Sequence, residues 1–238
     1  MKNDQNPPSL EAIRLNRRRF LGYAGATVGA SALLIAGCKK DDDDDNNNGT
    51  PIDPNAVNLG SGDIGVLNYA YALEQLEAAF YTQVVANFGA SDLSAAERSL
   101  LNDIQKHEVA HRDLFKGALG SNAIKDLEVN FTSIDFTKRA SVLGTAKAFE
   151  DLGVSAYNGA GKLLVSSDYL LLAGKIVSVE ARHAAAIRHL LNPFSADFAG
   201  TDVIDGNGLD LARTPSQVLA IAKTYVKTPI NASNLPTS

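Results

Sequence analysis

The chain has 238 residues, with 22 Lys and Arg against 27 Asp and Glu, a single Cys and no Trp. A net charge of −5 speaks against nucleic acid as a partner. The lone Cys excludes both an internal disulfide and a Cys-x-x-Cys iron–thiolate relay, so the fold must rest on an apolar core.

The first 37 residues read as an address rather than as part of the fold. Asn16-Arg17-Arg18-Arg19-Phe20-Leu21 resembles a twin-arginine export signal. The apolar run that follows, from Gly22 to Ile35, falls short of the roughly 20 residues of a membrane span. It ends in Ile35-Ala36-Gly37-Cys38, which resembles a bacterial lipobox. Cleavage there would leave lipid on Cys38 and tie the protein to the bacterial envelope, at the outer membrane or the cell surface. The alternative is an uncleaved N-terminal anchor with an incidental cysteine. Residues 38–62 hold the run from Asp41 to Asp45 followed directly by Asn46 to Asn48, and read as a disordered tether. Losing residues 1–37 removes five Lys/Arg and two Asp/Glu and leaves a net charge of −8, so attachment to the membrane would come from acyl chains rather than charge. The twin-arginine route exports folded proteins, which suits a metal loaded in the cytoplasm where competition among metals can be controlled.

The expected fold is all-α. From Asp63 to about Phe88, apolar residues recur at helical spacing, and Asn87 and Gly89 end the pattern. Ser94 with Glu97 forms a capping-box pattern that opens a second helix, which runs through Leu101, Ile104 and Phe115 to the glycines at 117 and 120. Residues 120–137 are weakly periodic and read as a long connection with room for a short helix. A third helix covers about Lys138 to Leu164 and a fourth about Asp168 to Leu191, with a tight turn at Ser166-Ser167 and a stop at Asn192-Pro193. Residues 63–192 thus form a four-helix bundle of two hairpins joined by one long crossover between the second and third helices. Residues 193–238 read as loop plus a short fifth helix, opened at Thr214-Pro215 and reaching about Val226; Thr228 to Ser238 look irregular.

The chemistry-bearing residues repeat across the two hairpins. Glu108 and His111 are three apart, as are Glu180 and His183, so each pair shares a helix face. Each is preceded by a helix with Glu and Tyr two turns apart, Glu74 with Tyr81 and Glu150 with Tyr157. A single Glu-x-x-His step is commonly a solvated surface pair; the duplicated order is the specific signal. Leu73-Glu74-Gln75-Leu76 parallels Phe149-Glu150-Asp151-Leu152, and Ile104…Glu108…His111 parallels Ile176…Glu180…His183. In this register Glu77 faces Gly153, which makes Glu74 the ligand candidate and Glu77 the reserve. Four carboxylates and two imidazoles on four helices suit two iron ions, or alternatively two manganese ions. Tyr81 and Tyr157 either donate to the carboxylates of the opposite half or simply pack in the core. His107, about 100° round the helix from Glu108, and His189 fall off this face and read as surface or boundary histidines.

The segment from Asn68 to Tyr81, NYAYALEQLEAAFY, resembles the first helix of the bacterial and plant ferritin-like family that includes desiccation-related proteins, and Glu150 to Tyr157, EDLGVSAY, is similar to its third helix. The resemblance implies a ferritin-like four-helix fold. By wider analogy to rubrerythrins and ferritins, it implies metal ligands at Glu74, Glu108, His111, Glu150, Glu180 and His183. Di-iron peroxidase or ferroxidase-type chemistry, or manganese catalase-like chemistry, would follow. Iron binding without turnover and a structural, stress-protective role stand as alternatives. A lipid tether on every subunit argues against a storage cage. The sequence leaves a homodimer open and names no electron donor.

Overall fold

The computed structural model describes residues 53–237, so the export signal, Cys38 and the Asp41–Asp45 run lie outside the described residues. Four long helices dominate: α1 (Gly62–Ala86), α2 (Ala95–Leu119), α3 (Arg139–Ala160) and α4 (Ser167–Leu191). A short α5 (Pro215–Ala222) follows, and two-residue strands β1 (Val57–Asn58) and β2 (Ile230–Asn231) complete the regular elements. The principal packing partners are α1 with α2 and α3 with α4, and α1 joins the hairpins through α3.

The starts of the helices are set by local chemistry. Ser94 Oγ accepts from the Glu97 amide, and Glu97 Oε2 accepts from the Ser94 amide, as the capping pattern requires. The other Glu97 oxygen accepts from Arg139 Nε at 2.6 Å, and Arg139 also donates to the Leu190 carbonyl. One side chain thereby links the start of α2, the start of α3 and the end of α4. At the other end of the bundle, Asp63 in the first turn of α1 accepts from the amides of Val165 and Ser166. Ser166 caps α4, so Ser167 is already helical and the turn is tighter than expected. The third helix stops at Ala160 and tightens into a 3-10 turn, Gly161–Leu163.

The long crossover between α2 and α3 carries one 3-10 turn, Gly120–Asn122, and is fastened along α1 by two buried amides. Asn68 donates to the carbonyls of Leu59 and Asn122 and accepts from the Ile124 amide. Gln75 accepts from the Leu127 amide at 2.7 Å. Phe131 and Phe136 of the crossover then pack on Phe80, which also meets Phe149 edge-on.

Three expectations are corrected. The tether does not extend to residue 62: β1 pairs in parallel with β2, Val57 opposite Ile230, and Leu59 is fully buried. The same pairing gives the supposedly irregular C-terminus an ordered strand. The signal was too short to read, because two residues carry no period. α5 has the expected Thr214 capping box with Pro at its start but ends at Ala222, four residues early. Beyond it, the bridge Val129–Val226 and the Lys227 amide on the Glu128 carbonyl hold the segment to the crossover.

Asn68 is therefore the joint between the N-terminal arm, α1 and the crossover. Replacing it with Ala would strand buried partners, and Asn68→Ala should lower unfolding free energy by about 2 kcal/mol or more. Denaturant titration of the metal-free protein checks this; a loss within experimental error would show that the joint carries no load.

Candidate metal centre

α1 is buried nearly all round, α2 and α4 each along one face and α3 over most of its length, and each carries one or two carboxylates among its buried residues. Glu74, Glu108, Glu150 and Glu180 are all 0% exposed, and Glu77 and His183 are almost as deeply buried. An unpaired ionised carboxylate in such surroundings costs several kcal/mol, so these residues must be compensated together.

The structure brings all six sequence-predicted positions to one place. His111 Nδ1 faces Glu180 Oε1 at 2.9 Å and Glu74 Oε2 and Glu108 Oε2 at 3.6 Å each. His183 Nδ1 faces Glu108 Oε1 at 2.8 Å, Glu150 Oε2 at 3.5 Å and Glu180 Oε2 at 3.9 Å. Glu108 and Glu180 thus each turn one oxygen towards either histidine, while Glu74 belongs to the His111 side and Glu150 to the His183 side. Two donor sets result, Glu74/Glu108/His111/Glu180 and Glu108/Glu150/Glu180/His183, and within each set the donor atoms lie within 4.8 Å of one another.

The donors converge on common points rather than on each other. Although some contacts are short, they lack hydrogen-bond alignment. Glu74 Oε2, Glu150 Oε2, both oxygens of Glu108 and Glu180, and Nδ1 of both histidines have no hydrogen-bond partner. Buried polar atoms are ordinarily paired. Eight orphaned oxygen and nitrogen donors in one spot fit a cation held between them.

The tyrosines resolve as donors. Tyr81 Oη donates to Glu150 Oε1 at 2.5 Å, and Tyr157 Oη donates to Glu74 Oε1. Each reaches across from α1 to α3 or back, which also shows that these helices run antiparallel. The outer oxygen of each terminal carboxylate is therefore fixed, and its other oxygen is left free to face the centre. Burial, followed by the carboxylate it touches in each case, pushes both phenols well above their ordinary range, so they stay protonated donors.

Two further residues complete the surroundings. Glu77 is packed against Gly153: a Cβ at that glycine would lie 3.0 Å from Glu77 Oε1 and 3.7 Å from Glu180 Oε2. The absent side chain is what gives the fifth carboxylate its space. His107 lies at the surface, as expected, but it makes a contact that its helix position does not announce. Its ring is exposed, but its Nδ1 lies 2.9 Å from His183 Nε2. A 100° offset on α2 takes it off the face of its own helix yet leaves it within reach of α4. Only the register comparison, which sets His107 against Val179, marks it as unusual. His189 is exposed against Phe194, as expected.

Without a metal, protons must neutralise the cluster. Burial first, then Glu180 and Glu108, pushes Glu74 up to about 8 against the opposing pull of His111, and burial with Glu108 likewise pushes Glu180 up to about 8. Burial, then the neighbouring carboxylates, raises Glu77 well above its ordinary range. Burial alone would raise Glu108 and lower both histidines, but their mutual pairing wins: Glu108 falls to about 2, His183 rises to about 10 and His111 to about 12.

The raised groups bind protons more tightly in the folded than in the unfolded chain. Their contribution is complete below the ordinary values of 4.5 for Glu and 6.5 for His, and it is lost as pH rises through the folded values. Glu108 has the opposite sign and matters only as pH falls from 4.5 towards about 2. The metal-free protein should therefore melt at progressively lower temperature from about pH 5 to about pH 9. Calorimetry after chelation checks this, and a melting temperature that climbs across that window would contradict the proton assignment.

Residues 62–193, which span all four long helices, match the model of the ferritin-like domain. The comparison with curated proteins finds no match. The five-helix, nearly strand-free architecture and the buried Glu/His cluster agree with that match, which covers more than half of the sequence. The chain belongs to the ferritin-like domain family, with a four-helix bundle built around a carboxylate–histidine cluster suited to metal.

Proposed function

We propose that this centre is dinuclear and redox-active, holding two iron ions and acting on peroxide or dioxygen. Glu74 and His111 would hold one ion, Glu150 and His183 the other, and Glu108 and Glu180, which belong to both donor sets, would serve both. The observation that carries the proposal is the division of eight orphaned buried donors into two sets that share Glu108 and Glu180. When bound, such a pair supplies electrons to peroxide or dioxygen and takes them back from a reductant. Two manganese ions on the same donors would favour peroxide dismutation.

The chain's own side chains do the positioning. Tyr81 and Tyr157 keep the terminal carboxylates turned inwards, which spares the centre from reorganising as its charge changes. Glu77 lies with Glu180 around Gly153 and adds a fifth buried carboxyl beside the donor set. A narrow apolar cavity of about 20 Å³, lined by Leu73, Phe115, Ala156 and Tyr157 among others, abuts the back of Tyr157. The complete burial of the four carboxylates favours a second reading, iron retention without turnover.

The proposal extends to location: export by the twin-arginine route and a lipid anchor at Cys38 in the bacterial envelope. Arg17-Arg18 and Ile35-Ala36-Gly37-Cys38 support it. No described helix is long and apolar enough to cross a membrane.

Glu108→Ala removes one shared ligand while Glu74, Glu150 and Glu180 still face the two histidines, so the variant should fold and yet lose most of its metal. Elemental analysis together with circular dichroism checks this. Metal content equal to that of the unsubstituted protein would sink the ligand assignment. Peroxide consumption by the loaded protein separates catalysis from retention.

A further inference from the structure

We propose that His107 is a positioning residue for the metal position at His183, and that it makes the two positions unequal. The inference rests on the dinuclear reading above. Nδ1 of His183 is the atom turned to Glu108 and Glu150, so it is the atom available to a metal. When it gives its lone pair, the ring proton must sit on Nε2. His183 is 5% exposed, and a buried N–H needs an acceptor.

His107 Nδ1 provides it at 2.9 Å. The two ring planes differ by only 10° and their centroids are 5.1 Å apart, so the rings meet edge to edge in nearly one plane instead of lying face to face. In that arrangement Nε2–H of His183 donates to Nδ1 of His107, whose own proton sits on its solvent-side Nε2. The bond fixes the tautomer and the rotation of the His183 ring and strengthens Nδ1 as a donor.

The other half of the bundle has no such partner. The register that pairs Glu108 with Glu180 pairs His107 with Val179, which offers no acceptor. The charged contacts of His111 run through Nδ1, and its side chain is 12% exposed against 6% for His183. The metal held by His183 is therefore bound more tightly than the metal held by His111.

Anaerobic titration of the metal-free full chain with ferrous iron tests this, comparing the unsubstituted protein with His107→Val, which copies the other half, and His107→Asn, whose Oδ1 replaces Nδ1 as an acceptor. The unsubstituted protein should show two unequal binding steps. His107→Val should weaken the tighter step by about 10- to 100-fold and leave the weaker one unchanged. His107→Asn should recover most of that loss, and because both steps are read on the same chain, a general loss of stability would weaken both equally. Unchanged steps in His107→Val would overturn the inference, as would an equal loss in both steps without rescue by Asn. An unsubstituted protein that takes up no iron would instead bring down the dinuclear reading itself, and this inference with it.

Discussion

Five carboxylates inside one apolar bundle are a constraint that the rest of the molecule must satisfy. Water cannot solvate them, and no arginine or lysine of the described chain pairs with Glu74, Glu77, Glu108, Glu150 or Glu180. The two histidines and bound protons can neutralise the cluster, as the raised positions of Glu74, Glu180 and Glu77 show. Metal ions can do the same, with the eight orphaned donors satisfied in the process. Protons and cations thus compete for one site, and the fold pays for neither in advance.

The scaffold makes the convergence accurate. The carboxylates sit on four different helices, so a shift of one helix along its axis would separate them. Asp63 fixes α1 against the start of α4, and Arg139 with Glu97 fixes three helix ends at the far side. Tyr81 and Tyr157 add cross-ties between α1 and α3 at the level of the centre. Symmetry between the halves supplies the common donor set, and the departures from it, Glu77 against Gly153 and His107 against Val179, distinguish one side from the other.

Most of this frame is legible in the sequence because it is periodic or repeated. The four helices follow from apolar spacing, the starts of α2 and α5 from their capping boxes, and the six candidate donors from a pattern that occurs twice. What depends on contacts between distant segments was not legible. Whether Tyr81 packs or donates turns on the position of Glu150, 69 residues away. His107 reaches a ring 76 residues away and off its own helix face. Val57 and Ile230 pair across nearly the whole chain with no local signal in either strand.

The most direct test of exchange between protons and metal is to count both. Metal-free protein would be loaded anaerobically with ferrous iron near pH 7 in unbuffered solution, with released protons titrated as iron is added. The proposed dinuclear centre predicts saturation at about two irons per chain, with up to about four protons displaced from Glu74, Glu180, His111 and His183. Iron uptake without proton release, or no uptake at all, would contradict it.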